Sequence, residues 1–319
     1  MLEKEIGSML TKYMPRFLED NIESEFKELA IQDLIALQAK ALETPAISIG
    51  VDVKDTTSNY ENAAMKIRDM INDKIMDAES LYILTNQATN MPYIDDNDSI
   101  YVFSQEQFAI DAADFFAQQY RVFGIHKVEK ENIKLAFRVM HQMAGVKNIL
   151  VDNGKPWIIN QLEKLLGKQN FAGTEPIANP GLLLAATKLE QERRWPLNYQ
   201  QKGKKLRDYE DKFLDELMVA KFIIPTKEVV NDENGTRFDV PTLDGSDGSK
   251  ALPIFTDFNQ LMLMFPDVQM DSMVLDIDGL LNAPLEIVVM NPAELSLAIG
   301  IPTLKEIVNE KRSAEMRAN

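Results

Sequence analysis

The chain has no cysteine, two histidines and two tryptophans among 319 residues. Without cysteine there is no disulfide, no thiolate nucleophile and no Cys-ligated metal. His126 and His141 lack the spacing of a metal pair, and no Ser-His-Asp arrangement follows from them. No apolar run approaches the roughly 18–20 residues of a membrane-spanning helix. The start, MLEKEIGSMLTKYM, is charged within its first five residues and lacks the unbroken apolar core of a secretory signal. Basic residues are outnumbered: 34 Lys and Arg face 50 Asp and Glu, a net charge of −16. That balance argues against general affinity for nucleic acid or anionic lipid. These absences point to a cytoplasmic protein with no cofactor and no metal. A protein partner or self-association is expected, with no membrane and with nucleic acid disfavoured.

What is present is an ordinary folded composition, 45% hydrophobic and 26% charged, with length for about two domains. Apolar spacing near 3.6 residues predicts helices over 22–42 (Phe26, Leu29, Leu34, Leu37, Ala41) and 60–76 (Ala64, Ile67, Met70, Ile71, Ile75). A short strand is expected in AISIGV at 46–51. Strands are also expected in LYIL at 81–84, IYVF at 100–103 and NILVDN from Asn148, with helices at Ser104, at Glu131–Met143 and at Trp157–Leu166. Ser104 with Gln107 reads as a capping box for a helix that buries Phe108, Ala112, Phe115 and Phe116. The later half repeats this order: KFII at 221–224, ALPIF at 251–255 and EIVVM at 286–290 as strands. Thr256 is read as the cap of a helix carrying Phe258, Leu261, Met262 and Phe265. Asn291-Pro292-Ala293-Glu294 reads as another helix start. Pro253 inside its strand predicts an edge, or a neighbour missing on that side.

Two segments thus share one grammar, with Phe103 matching Phe255, Ser104 matching Thr256 and Asn153 matching Asn291. The expected fold is α+β: two related units, each a small mixed sheet packed with helices, plus an N-terminal helical extension. The boundaries follow as an extension at 1–60, a first unit at 61–168, a helical connector at 169–206 and a second unit at 207–319.

Three pieces of the second unit, FLDELMVAKFIIPT, DVPTLDGSDGSKALPIFTDFNQLMLM and EIVVMNPAEL, carry a resemblance to the N-terminal domain of the SseB, or enhanced serine sensitivity, family. They give a helix, a strand ending in Pro, an Asp-Gly turn, a strand ending Phe-Thr and a strand ending Asn-Pro, in that order. The first unit departs from the pattern, with IYVFSQ for PIFTD and DNG for MNP, and reads as a diverged copy. The resemblance implies a bacterial cytosolic protein of unassigned biochemical role and brings no catalytic residue or cofactor.

MVLDIDGLL at 273–281 imitates the Asp-x-Asp-Gly nucleophile motif of the haloacid dehalogenases, with Asp276 and Asp278 in the catalytic places. The usual following Thr is Leu280, and the chain after Leu281 is too short for the remaining ligands, so a helix-capping Asp is preferred. LDGSDGSK at 243–250 is rich in backbone N–H groups and carboxylates that could hold an ion or anion, though a plain hairpin has the same composition. Strand ends in open α/β sheets gather ligands, so Asp244, Ser246, Asp247, Ser249, Thr256 and Asn291 form the candidate ligand-binding set. No catalytic residue is assigned. The leading expectation is a non-enzymatic protein-interaction module, docking on exposed helix faces or the edge near Pro253. The alternative is a binder of a small anionic metabolite, or an enzyme, using a crevice at the carboxyl ends of the strands. Arg193, Arg194, Lys202, Lys204, Lys205 and Arg207, interleaved with Trp195, Tyr199 and Tyr209, read as a surface that packs on the acidic units. The same interleaving could bind single-stranded nucleic acid. The 16 methionines are read mainly as core filler.

Overall fold

The computed structural model describes residues 12–13, 23–43, 53–87, 89–152, 160–167, 177–226, 228–232, 235–245, 248–266 and 271–318. The strand expected at 46–51, the start of the helix expected from Trp157, and Asn153 lie outside these residues. The single helix expected over 22–42 is interrupted. The Leu29 N–H closes a tight turn onto the Phe26 carbonyl (3.1 Å) instead of continuing the four-residue ladder. Helix α1 (Ile31–Glu43) then packs on α2 (Val53–Met76), with Leu34, Leu37, Ile67 and Ile71 fully buried.

The first sheet is built from β1 (Ser80–Asn86), β2 (Ser99–Phe103), β3 (Phe123–Glu129), β4 (Asn148–Val151) and β5 (Asn160–Gln161), in the order β3-β1-β2-β4-β5. Strand β2 runs parallel to β4, and the other pairs are antiparallel. Side chains alternate as a pleat requires. Leu84 and Phe103 face α3 (Glu106–Ala117), while Leu81, Ile83, Ile100 and Val102 join the main core with α4 (Lys130–Gln142). Helix α5 (Leu162–Leu166) follows β5. Strand β3 carries no strand signal in the sequence, because FGIHKVE buries only Val128. Full-length pairing with β1 imposes its strand state. Phe115, expected to face inward, is exposed.

Helix α6 (Pro180–Arg194), the expected connector, is the most enclosed helix described. Every residue from Leu182 to Glu192 is buried. Helix α7 (Lys202–Val219) packs along it. One hydrophobic cluster runs from Phe26 through α6 to Val308 in the C-terminal helix.

In the later half, β10 (Lys250–Ile254) runs parallel to β12 (Ile287–Met290), which pairs antiparallel with β13 (Leu297–Gly300). Strand β6 (Phe222–Thr226) pairs antiparallel with β11 (Asp271–Leu275) and touches the end of β10 through a reciprocal Ile223–Phe255 bridge. Strand β9 (Leu243–Asp244) pairs with the start of β10, and β7 (Glu228–Asp232) with β8 (Gly235–Asp239) forms a separate hairpin. Pro253 is therefore not on a free edge. Its ring nitrogen points the same way as the Phe255 N–H, into the gap between the β9 pairing and the Ile223 bridge, where no N–H is needed. Helices α8 (Phe258–Met264), α9 (Ile277–Leu281) and α10 (Ile301–Ala318) complete this half. The helix expected at Asn291–Glu294 is instead a turn into β13. The Asn291 carbonyl accepts the N–H groups of Glu294 (3.2 Å) and Ser296 (2.9 Å). Of the four α8 positions expected inward, Leu261 is buried and Phe258 and Met262 are about half exposed.

Candidate functional site

The sequence-named residues divide between two places. Asp244 sits opposite Lys250 at the mouth of the β9–β10 hairpin, where the Gly245 N–H donates to the Ser249 carbonyl at 2.8 Å. Ser246 and Asp247 lie outside the described residues. Thr256 and Asn291 lie at the other end of β10, about 20 Å away at strand rise, and both are fully buried. Their side chains bond each other. The Thr256 N–H donates to Asn291 Oδ1 (3.1 Å), and Asn291 Nδ2 donates to Thr256 Oγ1 (2.9 Å). The Thr256 hydroxyl in turn donates to Asp257 Oδ2 at 2.8 Å. Asp257, not Thr256, caps α8, accepting the Asn259 (2.9 Å) and Gln260 (3.1 Å) N–H groups.

The first half holds a matching corner at Asp152. Asp152 and Asn291 both have φ +49°, and each donates its N–H to a strand carbonyl at 2.9 Å, that of Val102 or Ile254. Asn153, the expected match, is one residue too far. The parallel registers Val102↔Val151 and Ile254↔Met290 fix Asp152 and Asn291 as the residues that follow. Asp152 accepts the Ser104 N–H (2.7 Å), the Ser104 hydroxyl (2.8 Å) and Gln32 Nε2 (2.6 Å). Ser104 is thus a strand-to-strand clamp rather than a helix cap; Gln105 precedes α3 without a side-chain cap bond.

Beside the Thr256 corner lies a groove of about 510 Å³ that sequence reasoning missed. Met91, Leu135, Val139, Met140 and Met143 give it an apolar wall, so these methionines line a groove as well as fill core. Strand β3 contributes His126 to Glu129, and Asp257, Gln260 and Glu294 close one end. On its open side β3 has no partner strand among the described residues. Gln260 Nε2 donates to Glu294 Oε2 at 2.6 Å, while Gln260 Oε1 is buried without a partner. Burial pushes the Asp257 carboxyl up despite its three hydrogen bonds. Burial also raises Glu294, and the charge of Asp257 adds to it. Asp257 and Glu294 stood in plain view in the motifs IFTD and NPAE, where cap roles hid them.

Cations of the basic, aromatic connector pair with acids, while Lys204 and Arg207 are exposed. Lys188 pairs with Asp98, Lys205 with Asp96 (2.8 Å) and Glu192 (3.5 Å), and Arg193 and Arg194 with Glu190 (2.7 and 2.9 Å). Tyr209 donates to Asp96 at 2.7 Å. The dehalogenase-like pair has structural partners: Asp276 accepts the Gly279 N–H (2.9 Å), and Asp278 pairs with Arg312 (2.8 Å). His141 Nδ1 bonds the Val146 carbonyl at 2.8 Å. Among the described residues no group of three His, Asp or Glu side chains is placed to hold a metal, and no helix is long and apolar enough to cross a membrane.

Residues 202–302 match the SseB protein N-terminal domain, as the motifs of the later half led one to expect. No curated protein matches the chain. Among solved structures, Anabaena Tic22, described as a protein-transport protein, aligns with 75% of this chain and 96% of its own at 11% identity and a TM-score of 0.17. A TM-score that low does not establish a common fold.

Proposed function

We propose that the SseB-matching half and the half before it together form a non-enzymatic, cytoplasmic protein-interaction module. Its docking site is the groove between β3, α4 and the α8 corner. One observation carries the reading: an apolar groove of about 510 Å³ runs beside a strand that has no partner on its outer edge among the described residues, and its lining includes the buried Asp257 and the half-buried Glu294. An edge strand accepts an extended peptide through backbone hydrogen bonds, and pockets beside it select alternate side chains. The occupant is therefore an extended segment of a partner protein with alternating apolar side chains and one Lys or Arg. The cation would meet Asp257 and Glu294 and offer a proton to the orphaned Gln260 Oε1. An anionic metabolite would be repelled at this end.

The two halves are read as copies of one unit. Strand order β11-β6-β10-β12-β13, joined through the Ile223–Phe255 bridge, has the same directions as β3-β1-β2-β4-β5. The Ser104–Asp152 and Thr256–Asn291 corners coincide within it, which supports duplication followed by divergence of the partner-facing edge.

Selection of random extended peptides against the full chain tests the docking site. Enriched peptides should alternate apolar residues around a Lys or Arg, and should lose binding at least tenfold to Leu135→Arg and to Glu294→Lys variants that remain folded. Peptides that bind all three chains equally, or no enrichment at all, would overturn it.

A further inference from the structure

A second concavity, of about 270 Å³, lies where the β3 approach meets the end of α6. It is lined by Tyr93, Tyr120, Arg121, Gln191 and Trp195. Arg121 is half-buried, and its guanidinium lies 3.8 Å from the Trp195 ring centre and 5.2 Å from that of Tyr93. It donates to the Tyr93 hydroxyl, and the acid whose charge it feels, Glu192, is engaged directly by Tyr199 (2.8 Å) and Lys205 (3.5 Å) instead. Lys188, Arg193, Arg194 and Lys205 each sit directly on an acid. Arg121 differs in this from those four cations.

Stacking uses the faces of a guanidinium and leaves its edge N–H groups for acceptors in the plane. One hydrogen bond uses one of five donors. Gln191 supplies an independent sign of a missing acceptor. It is 8% exposed, and its Oε1 takes the Ile94 N–H at 2.9 Å. Its Nε2 is buried with no partner, and the residue is among those lining the same cavity. A buried donor left unpaired costs about 1–3 kcal/mol, and a partly desolvated cation with no acid in direct contact is also under-compensated. Both deficits would be met by one oxyanion.

We infer that this cavity binds an organic oxyanion, a carboxylate or phosphate carried on a flat apolar body. The oxygens take the Arg121 edge as a fork, the geometry that makes guanidinium–oxyanion pairs strong and directional. Gln191 Nε2 donates a further bond, and the body of the ligand lies against Trp195 and Tyr120. The site is separate from the peptide groove and stands or falls without it.

Calorimetric titration of the full chain with phenyl phosphate, phenylacetate, inorganic phosphate and neutral benzyl alcohol tests the inference. At least one aromatic oxyanion should bind saturably in the micromolar to millimolar range and change Trp195 fluorescence. Tighter phenyl phosphate would assign a phosphate ligand, and tighter phenylacetate a carboxylate. Arg121→Gln should weaken binding at least tenfold, and Arg121→Lys, which keeps the charge but not the fork, several-fold. Gln191→Glu keeps the acceptor for Ile94 and turns the donor into a repelling oxygen. It should abolish binding in a chain with an unchanged circular dichroism spectrum. No saturable binding by either aromatic oxyanion would overturn the proposal. So would equal binding of benzyl alcohol or inorganic phosphate, or unaltered affinity in folded Gln191→Glu.

Discussion

A methyl group placed on Gly145 would lie 2.4 Å from the carbonyl oxygen of Pro180. Gly145 ends α4 in the first half, and Pro180 opens α6, so this contact seats the buried central helix against the first unit. Gly145 also has φ +69°, a conformation that costs a residue with a Cβ about 1–2 kcal/mol. The opposing atom is backbone and cannot swing away.

Gly145→Ala is therefore expected to destabilise the chain by on the order of 2–4 kcal/mol. Gly203 lies inside α7, and a methyl added there would meet nothing within 4 Å. Gly203→Ala should stabilise by about 0.5 kcal/mol through helix propensity. Urea unfolding of the two variants beside the parent gives both signs in one experiment.

Lys188 and Asp98 form a pair with side chains only 10% and 19% exposed. Burial alone would raise Asp98, but the hydrogen bonds from Lys147 and Lys188 outweigh it and hold the carboxyl below its ordinary 3.8. A depressed folded-state value contributes stability above the ordinary value, lost as pH falls through the folded one. Asp98→Ala should thus cost on the order of 3 kcal/mol at neutral pH, because it strands Lys188. The deficit should narrow in acid below about pH 3. Adding Lys188→Met to the same chain should recover part of the loss.

Glu294 has the opposite sign. Burial and the charge of Asp257 raise it above its ordinary 4.5. At a pH between the two values, the native chain holds a proton that the unfolded chain has released. Stability from this group is greatest below the ordinary value and is lost as pH rises through the folded one. Glu294→Gln keeps an acceptor for Gln260 and removes the charge. Its melting temperature should exceed the parent's by a few degrees at about pH 8, with the gap closing toward about pH 4. A constant gap across that range would count against the burial argument.

Asp152 takes three donors, from the Ser104 backbone, the Ser104 hydroxyl and Gln32. Asp152→Asn, which copies the later corner, turns one acceptor into a donor facing Gln32 or Ser104. The expected cost is about 1–2 kcal/mol. Gln32→Glu in the same chain should return about 1 kcal/mol, a coupling that a double-mutant cycle reads directly. Faster proteolysis around α1 in the single variant, reversed in the double, would place the effect at this clamp.

Much of the architecture was legible. Apolar runs bounded by turn residues placed β1, β2, β4, β6, β10 and β12, and helical periodicity placed α2 and α4, because these signals arise from neighbours in the chain. Strand β3 was not legible, since its strand state comes from β1. The inward faces of α3 and α8 were only partly right: Phe115, Phe258 and Met262 lie on stripes that periodicity marks as apolar but that no neighbour covers. The Asn153 alignment slipped by one because a register is set by the partner strand, not by the run of letters.

The amino-acid order by itself determined the alternation of strands and helices and the cap role of Asp276, both consequences of local spacing, and its motifs carried the SseB likeness of the later half. Only the tertiary structure decided which charges meet. It set Asp257, Gln260 and Glu294 in the lining of a groove walled by the first half, and it laid Arg121 on Trp195 while Glu192 pairs with Lys205 and Tyr199. Propensity and hydrophobic period act over a few residues, whereas the partner of a buried charge is chosen by whatever distant segment the core brings to it.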